Sequence, residues 1–301
     1  MSHDLNPSEF KSGFVALLGP PNAGKSTLLN RLLGEKISIT SQKPQTTRNR
    51  ILGILNRENA QIIFMDTPGV HKATGSLNTR IVEVALSCLP DMDAAIVILD
   101  GASPNPHSEK ILFNALKKQV KPVILAVNKV DSVEKSLLAQ RIDTWSKMAD
   151  FCEIVPISAR TGFQVDILVH ALEKLLPSGP PFYPLDAITD VPERFIAAEM
   201  VREKIFRLTG EEIPYSTAVT IEDFSEDADR NLVSIQAVIH VERESQKGII
   251  IGKNGAKLKQ IGQAAREDIE RMVGCRVFLK LFVRVQKNWT RDARALNRFG
   301  Y

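Results

Sequence analysis

Residues 19–26 read Gly-Pro-Pro-Asn-Ala-Gly-Lys-Ser, which fits the G-x-x-x-x-G-K-S pattern of a phosphate-binding loop. The apolar run at residues 14–18 predicts a buried strand before the loop, and residues 27–33 have helical spacing after it. In that context backbone N–H groups cradle phosphates and the helix N-terminus adds a favourable dipole. The alternative is a glycine-rich turn with an incidental lysine. Because both flanks fit, we expect a phosphate-binding site here.

The chemistry expected of this loop assigns a role to each of its polar groups. Lys25 is expected to reach the β- and γ-phosphates, which makes it a candidate catalytic residue, and the Ser26 hydroxyl is expected to ligate Mg²⁺. The loop residues expected to line the nucleotide are Gly19, Asn22, Ala23, Gly24, Lys25, Ser26 and Thr27.

A second phosphate-side element is Asp66-Thr67-Pro68-Gly69, which directly follows an apolar run at residues 61–65. An aspartate at the end of a buried strand can hold Mg²⁺ through water, and the Gly69 N–H can meet the γ-phosphate. D-x-P-G alone is a common turn. Because this motif follows a buried strand downstream of a phosphate loop, Asp66 is a candidate metal ligand and Gly69 is a candidate catalytic group.

A base-recognition element, Asn128-Lys129-Val130-Asp131, ends the apolar run at residues 122–127. The Asp131 carboxylate can accept from guanine N1–H and its exocyclic amine, whereas adenine would leave that charge unpaired. Asn128 is expected to tie the base site to the phosphate loop, and the Lys129 stem to cover the base. Ser158-Ala159 follows the next predicted strand, residues 151–157, and the Ala159 N–H is expected to contact guanine O6.

Strands and helices alternate through residues 1–176, which predicts a doubly wound, mostly parallel α/β sheet with its ligand at the strand C-terminal ends. Besides the strands above, residues 51–55 and 94–99 are predicted as strands. Helices are predicted over residues 81–87, 107–118 and 165–176. Prolines crowd residues 177–192, so we predict a semi-rigid linker there.

The second predicted domain, residues 193–301, reads as helix, strand, strand, helix, G-x-x-G, helix, strand. The helices are predicted over 193–208 and up to about residue 273, and the strands over 216–224, 232–241 and 276–285. In a K-homology (KH) domain, a small α+β fold, a G-x-x-G loop in this position clamps an RNA backbone. A bare G-x-x-G is frequent and can be only a turn. The candidate RNA-binding residues are Ile251, Gly252, Lys253, Asn254, Gly255 and Lys257.

Charge is distributed unevenly along the chain. Residues 244–301 carry 13 Lys and Arg against 5 Asp and Glu, a net of +8, while the remainder carries 26 against 30, a net of −4. A basic C-terminal part suggests a polyanionic partner, although a solvated charged surface explains the charge equally well.

Composition restricts the class of protein. Three well-separated cysteines without C-x-x-C favour neither a zinc site nor a disulfide framework, so a reducing cytoplasm fits. The polar N-terminus is not a signal peptide, and no apolar run approaches the ~20 residues of a membrane span.

Taken together, G-P-P-N-A-G-K-S, Q-T-T-R, D-T-P-G, N-K-V-D and S-A-R, followed by a linker and G-x-x-G, resemble the Era family of GTPases along the whole chain. The resemblance implies a cytoplasmic bacterial GTPase that binds GTP, GDP and Mg²⁺. Its implied partners are the 3′ end of 16S ribosomal RNA and the small ribosomal subunit, whose assembly it assists. No DNA partner and no oligomer are expected, and some family members associate peripherally with the inner face of the cell membrane.

The resemblance also assigns three positions that the residues alone do not. Thr47 is the implied switch threonine for Mg²⁺ and the γ-phosphate, with Thr46 as the alternative. Asn22 matches the asparagine that related GTPases use to bind potassium. Val70 stands where Ras-like enzymes carry a water-orienting glutamine, and no other residue is an obvious general base, so slow intrinsic turnover is expected.

Three functions are compatible with these motifs. In the first, GTP hydrolysis times RNA release; in the second, the chain is an RNA-binding scaffold with a structural nucleotide site. Intact Lys25, Ser26, Asp66, Asn128 and Asp131 favour the first. A base- or tRNA-modifying GTPase is the third, and no metal or nucleophile cluster in the sequence supports it.

Overall fold

The computed structural model describes residues 10–41, 43, 46–69, 91–117, 120–210 and 213–299. Val70 and the helix predicted over residues 81–87 lie outside these ranges. The described chain divides into two compact units. The first holds residues 10–38, 47–69, 91–117 and 120–190, and the second holds 39–41, 43, 46, 191–210 and 213–299.

A six-stranded sheet in the order β2-β3-β1-β4-β5-β6 forms the first unit. Neighbouring strands are parallel except β2, which is antiparallel to β3. The strands are β1 (Lys11–Leu18), β2 (Ile51–Asn56), β3 (Ala60–Asp66), β4 (Ala94–Asp100), β5 (Val123–Asn128) and β6 (Glu153–Pro156). The helices are α1 (Lys25–Leu33), α2 (Pro106–Leu116), α3 (Lys135–Ser146) and α4 (Val165–Leu175).

The central strands explain why this sheet is covered on both faces. Every residue of β3, β4 and β5 is buried, as continuous apolar runs of a doubly wound parallel sheet require. These three strands end with Asp66, Asp100 and Asn128, respectively. Polar side chains therefore collect at the carboxyl edge of the sheet, where such folds bind ligands.

The segment predicted as a linker, residues 177–192, is hydrogen-bonded to the first unit over much of its length. Ser12 donates its amide to the Pro177 carbonyl at 3.1 Å and its hydroxyl to the Pro180 carbonyl at 2.6 Å. Farther along, the Ile54 amide donates to the Ile188 carbonyl at 2.9 Å. This stretch is thus fixed along the sheet, which its proline content did not indicate.

The second unit contains a three-stranded sheet in the order β7-β8-β9, with β7 antiparallel and β9 parallel to β8. Its strands are β7 (Ala218–Asp227), β8 (Leu232–Val241) and β9 (Arg276–Val285). Its helices are α5 (Glu193–Leu208), α6 (Glu244–Ile251), α7 (Ala256–Val273) and α8 (Ala293–Arg298). Both predicted fold classes, the doubly wound sheet and the α+β fold with its helix first, are confirmed.

A polar segment from the first half of the chain belongs to the second unit. Thr40 donates its amide to Glu203 Oε1 at 2.9 Å, and Arg202 Nη2 donates to the Thr46 carbonyl at 2.5 Å. Glu203, completely buried on α5, also accepts from Lys204 at 3.0 Å. Several charge-assisted bonds therefore hold the described residues of this segment, 39–41, 43 and 46, on α5. The sequence shows no apolar periodicity in this stretch.

No helix in the described part of the chain is both long and apolar enough to cross a membrane.

His240 gives the second unit a testable pH dependence. The ring is 1% exposed, bonds Thr220 Oγ1 through Nε2 at 2.9 Å, and stacks 4.4 Å from the Phe299 ring. Burial, with Arg284 and Arg298 nearby and Glu222 opposing, lowers the His240 pKa to about 4. The unfolded chain therefore binds the extra proton between pH ~6.5 and ~4, and stability falls as pH drops through that window.

We expect the unfolding free energy to decrease by up to about 2 kcal/mol between pH ~6.5 and ~5 because of this one group. Urea titrations at both pH values would show the decrease in the native chain and its reduction in His240→Gln. His170→Gln, a change at an exposed histidine of α4, is the control and should leave the native pH dependence unchanged. A native-like pH dependence in His240→Gln would contradict this assignment.

Candidate nucleotide site and G-x-x-G loop

The loop between β1 and α1 has the backbone that close approach to a phosphate requires. Gly24 caps α1 at φ 102°, and a Cβ there would lie 2.2 Å from Asn128 Nδ2, so only glycine fits. No side chain caps the first turn of α1, which leaves its amides for a ligand. Asn22, at φ 62°, is exposed on the same loop, and Thr27 lies in the first turn of the helix.

Lys25 is held inside the loop. Its ammonium donates to the Gly19 carbonyl at 3.1 Å and the Pro20 carbonyl at 2.9 Å. Burial lowers the pKa of Lys25 to about 8, and the negative charge of Asp66 opposes that effect. An anionic phosphate in the loop would favour the charged ammonium and raise this pKa. Lys25 is therefore placed to bind phosphate as a localised positive charge.

The three predicted magnesium ligands lie together. Ser26 Oγ donates to Asp66 Oδ2 at 2.7 Å and lies 2.9 Å from Thr47 Oγ1. Asp66 Oδ2 also accepts from Ser38 Oγ at 2.8 Å, while Asp66 Oδ1 is buried without a hydrogen-bond partner among the described residues. Burial raises the pKa of Asp66, and Lys25 opposes the rise. A divalent cation would satisfy the free oxygen and stabilise the ionised carboxylate, so these residues fit Mg²⁺.

The neighbouring threonines of the switch segment have different surroundings. Thr47 faces Ser26, whereas Thr46 Oγ1 donates to the Lys43 carbonyl at 2.8 Å and lies 2.9 Å from Ser41 Oγ. The geometry therefore favours Thr47 over Thr46 as the metal ligand. Gly69 also reaches the loop, because a Cβ on it would lie 2.8 Å from Pro21 Cα.

Asn128 joins the phosphate loop to the base-recognition loop. Its Nδ2 donates to the Ala23 carbonyl at 2.7 Å, and its Oδ1 accepts from the Ala159 amide at 2.9 Å. The Ala159 N–H is thus already bonded, and contact with guanine O6 requires that this N–H be shared. Asn128 is 2% exposed, so both bonds are shielded from water.

Asp131 has a preformed set of partners at the opposite end of the site. Its Oδ1 accepts from Ser158 Oγ at 2.6 Å, and its Oδ2 accepts from Ser132 Oγ at 3.0 Å and from Arg160 Nη2 at 2.6 Å. The Ser158 hydrogen bond is the main reason that the Asp131 pKa falls below its usual value. Asp131 is therefore an ionised acceptor, as guanine recognition requires.

Lys129 extends along the same edge of the sheet. It adopts φ 66°, and its ammonium pairs with Asp100 Oδ2 at 2.6 Å. This ion pair fixes the head of the side chain, so its aliphatic stem can cover a base.

Three residues near the site were not identified from the sequence. Ser38 bonds Asp66, Arg160 pairs with Asp131, and Arg31 Nε donates to the Ala159 carbonyl at 3.3 Å. Arg160 lies within the quoted S-A-R motif and could have been found there. Ser38 and Arg31 carry no local pattern that distinguishes them from ordinary polar residues.

In the second unit, the G-x-x-G loop connects α6 to α7. Ile251 ends α6, Gly252 adopts φ 71° and ψ 177°, and a Cβ on Gly252 would lie 2.7 Å from Lys257 Cβ. Lys253 and Asn254 are exposed in a short 3-10 turn, and Gly255 caps α7 at φ 78° without a side-chain cap. The loop therefore presents the positive charge of Lys253 beside the N-terminus of an 18-residue helix that has no side-chain cap.

Two family models match the chain in separate regions. The model described as "50S ribosome-binding GTPase" matches residues 14–129, and the KH-domain model matches residues 212–290. The first match contains the phosphate loop and the first two residues of N-K-x-D, and the second contains the G-x-x-G loop.

Relatives match over nearly the whole length. GTPase Era of Geobacter metallireducens is 54% identical over 99% of this chain and 100% of its own, and GTPase Era of Syntrophus aciditrophicus is 49% identical over 97% and 95%. A crystal structure of Era with MgGDPNP and nucleotides 1506–1542 of 16S ribosomal RNA is 44% identical, with a TM-score of 0.92 over 97% of this chain and 99% of that one. A crystal structure of a single-residue variant of Aquifex aeolicus Era bound to GDP·AlF4⁻ is 43% identical, with the same TM-score and coverage. The sequence motifs, both folds and these full-length matches show that the chain belongs to the Era family of GTPases.

Proposed function

We propose that the first unit binds GTP and GDP between the phosphate loop and Asp131 and hydrolyses GTP. We further propose that the second unit holds the 3′ region of 16S ribosomal RNA through the G-x-x-G loop during assembly of the small subunit. The observation that carries the first part is Asn128, which bonds Ala23 and Ala159 and so makes the phosphate and base ends one continuous site.

The metal requirement follows from the donor set. Ser26, Thr47 and Asp66 would hold Mg²⁺, with the unpartnered Asp66 oxygen supporting the fit. When bound there, Mg²⁺ would supply positive charge that offsets the negative charge of the nucleotide phosphates. Lys25 would contribute a further positive charge, and the Gly69 N–H is proposed to donate to the γ-phosphate, so catalysis would depend on electrostatic stabilisation and positioning.

The RNA partner is proposed from a relative that covers the full length. That Era structure contains a segment of 16S ribosomal RNA, which belongs to the small subunit. The family model over residues 14–129 names the 50S subunit, but it covers the nucleotide-binding region and not the G-x-x-G loop. The RNA-binding element therefore favours the small-subunit partner.

The proposal also includes the domain boundaries of the chain and the location of the protein in the cell. We place the GTPase domain at residues 1–176, the proline-rich linker at 177–192 and the KH domain at 193–301, with residues 177–190 of the linker forming part of the first compact unit. The family resemblance supports a cytoplasmic monomer without a DNA partner, with peripheral binding to the cytoplasmic side of the membrane as a property to test.

Multiple-turnover phosphate release from GTP tests the switch function against an RNA scaffold with a structural nucleotide. We expect slow but continuous turnover, reduced at least about 100-fold in Lys25→Ala because its phosphate charge is lost. Lys135→Ala, which removes an exposed lysine of α3, is the matched control and should keep native turnover. A single burst without further turnover, or native rates in Lys25→Ala, would favour the scaffold.

Potassium dependence is a separate expectation that concerns Asn22. If Asn22 ligates K⁺ beside the phosphates, replacing K⁺ by Na⁺ at constant ionic strength should lower the hydrolysis rate, since the added positive charge is lost. Phosphate release in KCl and NaCl measures the difference, and Asn22→Ala should abolish it. Equal native rates in both salts would exclude potassium from the reaction.

A further inference from the structure

The outward face of β9 carries a row of exposed basic and aromatic side chains that the nucleotide site and G-x-x-G loop do not use. Alternate residues of this strand point to opposite faces of the sheet. On one face Leu281 packs under α7, where a Cβ on Gly262 would lie 3.4 Å from it. The opposite face presents the outer β9 row, all exposed: Arg276, Phe278, Lys280, Phe282 and Arg284.

The two phenylalanines are unusual for a strand that is already packed on its other face. Phe278 is 52% exposed and Phe282 is 47% exposed, and they lie four positions apart, or about 13 Å along a strand. Exposed aromatic rings on a sheet stack RNA bases in other RNA-binding folds. Single exposed apolar residues are ordinary, but two in one row with basic residues between and beside them indicate a binding surface.

Charge along the row matches a polyanion. Arg276, Lys280 and Arg284 contribute three positive charges, and β9 contains no acidic residue. Lys280 Nζ lies 5.3 Å from the centre of the Phe278 ring, so a base stacked there would have a cation beside its backbone. Arg284 pairs with Glu222 at 3.1 Å, but both side chains are about half exposed, so the pair is weak enough to exchange for a phosphate.

Acidic residues on β7, the other edge strand of this sheet, restrict which kind of polyanion can bind the outer β9 row. β7 carries Glu222, Asp223, Glu226 and Asp227, and no basic residue. The strand pairing places Asp223 and Asp227 on the same face as the basic row, while Glu226 lies on the opposite face. A planar anionic membrane laid on this face would meet Asp223 and Asp227, whereas a single nucleic-acid strand following β9 would meet only Glu222, the partner of Arg284. The charge distribution therefore favours a narrow, linear polyanion with bases.

We propose that the outer β9 row is a second RNA-binding surface, in which Phe278 and Phe282 stack unpaired bases and Arg276, Lys280 and Arg284 contact phosphates. The surface lies on the opposite face of the sheet from α7, the helix that begins at the G-x-x-G loop. This proposal rests on the proposed RNA-binding function, and it adds that a longer RNA is held at two places on the second unit. An RNA of about four nucleotides fills only the G-x-x-G clamp, which holds about that number.

The test compares two RNAs: nucleotides 1506–1542 of 16S ribosomal RNA and a single-stranded 3′ fragment of about four nucleotides, the length that the clamp holds. In filter-binding titrations, Phe278→Leu/Phe282→Leu should weaken the long RNA about tenfold or more, because stacking is lost while apolar area is largely kept. The short fragment should bind normally. Lys280→Gln/Arg284→Gln should reduce the slope of log affinity against log salt by about one to two, again for the long RNA only.

Phe163→Leu, which changes a 53% exposed phenylalanine of the first unit, is the matched control and should bind both RNAs normally. Equal affinity of Phe278→Leu/Phe282→Leu and the native chain for the long RNA would overturn the proposal. Loss of binding to phosphatidylserine vesicles with unchanged RNA affinity would assign the row to a membrane instead. If the native chain binds neither RNA, the proposed RNA-binding function fails first, so the two failures are distinguishable.

Discussion

Asp131→Asn is expected to lose GTP and to gain xanthosine triphosphate. In the native chain Asp131 is an ionised acceptor whose orientation is set by Ser158 and Arg160. An amide there presents a donor where guanine N1–H and the exocyclic amine need acceptors. A site built to hydrogen-bond a polar group rejects the wrong partner by about 10⁴, so we expect a loss of GTP affinity of that order. The xanthine 2-oxo group accepts a hydrogen bond and should recover most of that affinity.

The measurement is direct titration of each variant with fluorescent derivatives of GTP, ATP and xanthosine triphosphate, together with phosphate release from each nucleotide. Asp143→Asn makes the same change at an exposed residue of α3 that pairs with Lys147, and it should retain native selectivity. Because the low pKa of Asp131 keeps the carboxylate ionised, native GTP selectivity should persist well below neutral pH. A variant that still prefers GTP would show that Asp131 does not read the base.

Most of the first unit could be predicted from the sequence, because the functional motifs there lie directly at the ends of predicted strands. The buried runs of β3 and β5 end in a polar residue that the sheet then gathers at one edge, so Asp66 and Asn128 could be placed near the phosphate loop from the sequence. Helix α3 was not predicted, although Leu138, Ile142 and Trp145 have helical spacing. Most of this helix is exposed, and Trp145 is its one buried residue. Helix α8 is six residues long and depends on packing around Trp289 and Phe299, which leaves no periodic signal.

Long-range polar contacts account for what the sequence does not predict at the site. Ser38 reaches Asp66 across 28 residues, and Glu203 binds Thr40 across 163. Such pairs have no sequence spacing to recognise, since each member alone resembles a surface residue. The same reason explains why Thr46 and Thr47 could be ordered only by their neighbours: one faces Lys43 and Ser41, and the other faces Ser26.

Replacing both residues between the glycines of the G-x-x-G loop by aspartate should nearly abolish specific RNA binding. Lys253→Asp/Asn254→Asp changes the formal charge at this turn from +1 to −2. Both side chains are exposed, and the glycines that set the turn are unchanged, so folding should be little affected. Like charges facing each other cost several kcal/mol, and we expect RNA affinity to fall about 100-fold. Weak, salt-sensitive binding through the other basic residues should remain.

Filter binding at two salt concentrations, together with phosphate release without RNA, measures both consequences. Lys135→Asp/Ser136→Asp makes the same three-unit charge change at the exposed start of α3, and it controls for net charge. Basal hydrolysis should stay near the native rate in both double variants, because neither changes a residue of the nucleotide site. Unchanged RNA affinity in a folded Lys253→Asp/Asn254→Asp variant would reduce the G-x-x-G loop to an ordinary turn. Loss of basal hydrolysis in that variant alone would instead show that the loop influences the nucleotide site even when no RNA is bound.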